Sequence, residues 1–64
     1  MNAISQRTLD LVTDHIDPLT GEVNMTSLAE DVYNELDGSD RDIPEEYFEA
    51  AFEAAQYYAD SLAP

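Results

Sequence analysis

Glu45, Glu49 and Glu53 recur every four residues, so on a helix their carboxylates stack along one side. Each step climbs about 6 Å along the axis. Two neighbouring carboxylates can serve as acid and base, but that requires a pocket that drives their pKa values apart. A solvated helix face supplies no such pocket. A row of one sign with no lysine between its members is better suited to meeting a ligand of opposite charge. Like charges at this spacing destabilise a helix, which is why ordinary faces mix both signs.

Other residues with chemical potential carry less. Thr20, Gly21, Glu22, Val23 and Asn24 followed by Leu28 have the look of the second half of a calcium loop. With Gly21 at the sixth loop position, Ile16, Pro18, Thr20 and Ser27 fall where calcium needs its oxygen ligands. An alkyl group, an imino acid and two hydroxyls do not make that site, so no metal is expected. His15 is the single histidine and projects from the apolar side of its helix; without a paired nucleophile it is expected at the edge of the core. Asp60, Ser61 and Leu62 match the attachment motif of acyl carrier proteins. There the serine opens a helix in mid-domain, whereas Ser61 stands at the end of one, so no cofactor is expected.

Three helices must position these groups. The first is expected from about Ser5 to Ile16, with Ile4, Thr8, Leu11, Val12 and His15 on one side. Asp17 and Pro18 close it, because the residue before proline avoids helical geometry. Asn24 is a plausible N-cap for a second helix, Met25 to Leu36, with Met25, Leu28, Ala29, Val32 and Leu36 in a stripe. Gly38 stops it. Pro44, Glu45 and Glu46 suit the first turn of a third helix reaching about Leu62. Its apolar arc reads as Phe48, Ala51, Phe52, Ala55, Tyr58, Ala59 and Leu62, and its acidic arc as Glu45, Glu46, Glu49, Glu53 and Asp60. The expectation is a single all-α domain over residues 1–64, a small three-helix unit with a minor short strand near Val23 as an option. Leu11, Leu28, Val32, Leu36, Phe48, Phe52 and Leu62 are expected to share its core. Tyr33, Tyr47 and Tyr57 are expected at the margins of the apolar arcs, rings inward and hydroxyls in water.

Fifteen of 64 residues are Asp or Glu against two arginines, for a formal charge of −13. Repulsion of that size opposes compaction, in a chain short enough to have little stability to spare. Leu, Ile, Val and Phe number 14, just above the fraction of roughly 20 % below which charged chains stay disordered. The six aromatic residues favour a folded domain. There is no cysteine, hence no disulfide or thiolate metal site. No signal peptide and no membrane-length apolar run is visible, so a soluble cytoplasmic protein is expected. A highly saline cytoplasm also favours such a composition, since 1 M salt shortens the screening length to about 3 Å. Under that reading the acidity reports habitat.

Size, charge and the acidic third helix together resemble the small DNA-mimic inhibitors of phages and mobile elements, anti-CRISPR and anti-restriction proteins among them. The resemblance is one of character over the whole chain, without a shared motif. It implies a non-enzymatic, stoichiometric blocker acting in a bacterial host cell, and the domain is expected to be a monomer. The partner would be a basic nucleic-acid-binding protein or complex, foremost a multi-subunit RNA-guided surveillance complex. Carboxylates would stand in for phosphates, which a duplex carries at one per roughly 1.7 Å of axis. The protein itself would bind neither nucleic acid nor membrane. The candidate partner-binding residues are Asp31, Glu35, Asp37, Asp40, Asp42, Glu45, Glu46, Glu49, Glu53 and Asp60. The alternative is an acidic adaptor or antitoxin-like module whose apolar helix face, with Leu28, Val32 or Phe48, takes a basic or helical partner or pairs with itself.

Overall fold

Asn2 opens the first helix of the computed structural model, which describes residues 2–38 and 42–62. Its side chain accepts from the Ser5 N–H at 2.8 Å, and helix α1 runs Ala3–Leu11. The start lies two residues earlier than expected because Asn2 satisfies an N–H that would otherwise lack a partner. A 3₁₀ segment, Val12–His15, continues the chain to Ile16. Buried Thr8 directs its hydroxyl back to the Ile4 carbonyl at 2.6 Å, so its polarity costs the interior little.

The connector is a tight turn clasped by one antiparallel bridge between Ile16 and Val23. The Asp17 carboxylate accepts from the Leu19 N–H at 2.8 Å, and the Asp17 carbonyl accepts from the Gly21 N–H at 2.7 Å. Gly21, at φ 76°, takes the left-handed conformation needed to turn the chain back. The short strand foreseen near Val23 thus amounts to one bridge.

Asn24 caps helix α2, Met25–Leu36, accepting from the Ser27 N–H at 3.1 Å. Gly38, at φ 71°, ends it with an N–H turned back to the Tyr33 carbonyl. Helix α3 spans Glu45–Leu62, with Glu45 and Glu46 in its first turn beside the positive end of the helix dipole. The three α-helices pack against one another around Val12, Leu28, Ala29, Val32, Tyr33, Tyr47, Ala51 and Ala54. The all-α three-helix fold is therefore as expected.

The core face of α3 is not the expected one. Phe48 is 38 % exposed, Phe52 51 %, Leu62 64 % and, on α2, Leu36 43 %. Tyr47, Ala50, Ala51 and Ala54 are buried in their place. Successive residues differ by about 100°, so this face centres roughly 130° round the helix from the acidic arc, and the phenylalanines stand on the other side of that arc. Alanines let helix backbones approach closely, whereas side-chain hydrophobicity weights the phenylalanines more heavily. Tyr33 and Tyr47 are correspondingly buried, not marginal; Tyr57 is exposed.

Candidate functional site

The acidic residues of α3 are held in place by the fold beneath them. Tyr47, Ala51 and Ala54 fix the rotation of the helix, which leaves Glu45, Glu46, Glu49, Glu53 and Asp60 exposed to solvent. None of these five takes part in an ion pair among the described residues. Glu45, Glu49 and Glu53 share a shallow depression of about 320 Å³ with Phe48 and Phe52. On the other flank, Glu46, Glu49 and Glu53 line a second depression of about 300 Å³ with Asn2, Ile4, Ser5 and Ala50. The row thus runs beside the start of α1. Tyr57 borders it there, next to Glu53, over a small apolar hollow of about 170 Å³.

The acids of α2 are placed differently. Arg7 of α1 grips Glu35 with two nitrogens: Nε donates to Oε2, and Nη2 donates to Oε1 at 2.8 Å. This fork holds the Glu35 carboxyl below its ordinary range, chiefly through the hydrogen bond to Arg7, and raises the Arg7 guanidinium. Asp10 lies 3.8 Å from the same arginine. Asp31 accepts from His15 Nε2 at 2.9 Å. Asp31 and Glu35 therefore face His15 of the 3₁₀ segment and Arg7 of α1, and neither lines the depressions beside the α3 row. Asp37 and Asp42 are exposed near the ends of the second connector, and Asp40 lies outside the described residues.

His15 shows an arrangement that the sequence did not suggest. Its Nδ1 lies 2.8 Å from Ser27 Oγ while Nε2 reaches Asp31. With the proton on Nε2, Nδ1 accepts from the serine hydroxyl, which also lies 3.2 Å from the Asn24 carbonyl, and the three side chains form a hydroxyl–imidazole–carboxylate chain. The signal available in the sequence was the placement of Ser27 and Asp31 one turn apart on a helix. Nucleophilic catalysis also needs donors for a developing oxyanion. Here the Ser27 N–H is held by Asn24 Oδ1 at 3.1 Å and the Leu28 N–H by the Asn24 carbonyl at 3.0 Å. The chain works as a clasp between the 3₁₀ segment and the first turns of α2.

The hydroxyls considered for calcium serve the connector turn. Thr20 Oγ1 accepts from the Glu22 N–H at 3.2 Å, and Ser27 Oγ faces His15. Ser61 donates to the Tyr58 carbonyl at 2.8 Å, at the end of α3. Among the described residues no three His, Asp or Glu side chains gather as a metal site. No helix among them is long and apolar enough to cross a membrane. No protein-family model matches the chain, and neither a curated protein nor a solved structure matches it.

Proposed function

We propose that this protein is a non-enzymatic, stoichiometric blocker whose acidic α3 face occupies the basic nucleic-acid-binding site of a partner protein. The observation that carries the reading is the exposed row Glu45, Glu49 and Glu53, with no cationic partner among the described residues. Arg7 and His15 are engaged instead between α1, the 3₁₀ segment and α2. Basic surfaces that bind phosphates bind ordered carboxylates by the same electrostatics. A helix that presents them already folded loses little entropy on docking. The resemblance to DNA-mimic inhibitors directs the proposal to host defence in a bacterial cytoplasm, with an RNA-guided surveillance complex as the foremost target. An adaptor role is the second reading, favoured by the exposure of Phe48; Leu28 and Val32 are fully buried and so unable to meet a partner.

Competition tests the proposal. Reversing Glu45, Glu49 and Glu53 to lysine shifts the formal charge by six from −13 without touching a buried residue. Each exposed pair is worth about a kilocalorie or less, so single reversals should do little and the triple reversal a great deal. The wild type should prevent its target from binding DNA, and the folded triple variant should not. A triple variant that inhibits like the wild type, or a wild type that binds without displacing DNA, overturns the decoy.

A further inference from the structure

Phe48, Phe52, Ala55, Ala59 and Leu62 follow one another at intervals of four, three, four and three residues. That is the a/d spacing of a helix seam, which normally faces another helix. In this fold the seam is not the core face. Phe48, Phe52, Ala59 and Leu62 are exposed, and only Ala55 is half-buried. The seam extends over about 21 Å of α3 at 1.5 Å per residue. Its two ends are open hollows: the one where Phe48 and Phe52 meet the glutamates, and one of about 510 Å³ where Ala55, Ala59 and Leu62 face Met25 and Val23. Exposed phenylalanines contribute nothing to a purely electrostatic decoy, and their exposure to water is unfavourable.

We infer that this seam receives a basic amphipathic helix of a partner protein, with apolar residues over Phe48 and Phe52 and arginines facing Glu49 and Glu53. The occupant follows from spacing and charge. The period selects a helix, and the alanines at 55 and 59 let its backbone come close. Glu49 follows Phe48 at the flanking position where charge sets partner choice, so the incoming helix must be positive there. A second copy would bring another charge of −13 to the same edge, which repulsion opposes. The inference rests on the reading of the acidic row as the partner-binding face, and it specifies what that face binds.

Two synthetic helical peptides of equal charge test it, one with leucine at its a and d positions and arginine at g, the other with glutamine replacing each leucine. By calorimetry at physiological salt, the wild type should bind the leucine peptide at least about tenfold more tightly, in keeping with the burial of two aromatic anchors. Phe48→Gln with Phe52→Gln should abolish that preference while leaving weak, salt-sensitive binding of both peptides. Equal binding of the two peptides by the wild type overturns the inference without any recourse to variants. So does a preference that survives the double substitution, or sedimentation showing dimers that the double substitution dissolves. The DNA competition is read separately. A wild type that displaces DNA yet binds both peptides equally refutes the helix seam and leaves the decoy standing.

Discussion

The rings of Tyr33 and Tyr47 meet edge to face, with centroids 5.1 Å apart and planes at 85°. The contact joins the second half of α2 to the first turn of α3 and sets how far α3 is rotated. It thereby determines which residues of α3 face water. Tyr47→Ala should lower stability by about 3 kcal/mol, as for other buried aromatics. Phe52→Ala should change it by only about 0.5 kcal/mol. Urea titrations of both variants measure the contrast, and equal losses would return Phe52 to the core.

Burial, with the nearby carboxylates of Asp37 and Glu46, raises the Tyr47 hydroxyl above the ordinary tyrosine value of 10.0. The folded state then holds this proton where the unfolded state has lost it. The contribution to stability is complete below pH 10 and is lost as pH rises through the folded-state value. The stability difference between wild type and Tyr47→Phe should accordingly shift against the wild type in alkaline melts.

Glu35 has the opposite sign. Its carboxyl, paired with Arg7, lies below the ordinary value of 4.5. Its contribution is present above that pH and is lost as pH falls through the folded-state value. Thermal melts of wild type and Glu35→Gln should differ at neutral pH and converge in acid, although general relief of repulsion changes both curves. A difference that persists below the folded-state value would show that the fork is not its source.

His15→Ala removes both links of the clasp to Ser27 and Asp31. It should lower stability by about 1–2 kcal/mol, the range for two hydrogen bonds at a half-buried site. In a double-mutant cycle with Ser27→Ala the losses should fall short of additivity by about 0.5 kcal/mol or more. Strict additivity would mean that the serine and imidazole act independently.

Added sodium chloride should raise the melting temperature, because most of the carboxylates lie at the surface of a chain of charge −13 and screening weakens their repulsion. The Arg7–Glu35 pair is weakened too, but it is one attraction against many repulsions. A flat or falling dependence would show that repulsion is not the main destabilising term. Glu45→Gln with Glu49→Gln should reduce the slope.

The sequence by itself determined the number of helices and the limits of α2 and α3, whereas the first helix begins at Ala3 and gives way to 3₁₀ geometry after Leu11. Asn24, Gly38 and Pro44 act through local backbone geometry, and α2 runs from Met25 to Leu36 as their positions require. The acidic arc of α3 was equally legible, since a helical repeat is a property of neighbouring residues. Tertiary structure decided which way α3 turned. A string of residues offers two apolar arcs on that helix, one rich in alanine and tyrosine, the other carrying Phe48, Phe52 and Leu62. Only close approach of α1 and α2 selects between them. The same packing brought Glu35 to Arg7 and Asp31 to His15, contacts across 28 and 16 residues that no local spacing encodes. What was left in water, a phenylalanine seam beside a carboxylate row, is therefore a product of the packed fold and not of helical periodicity alone.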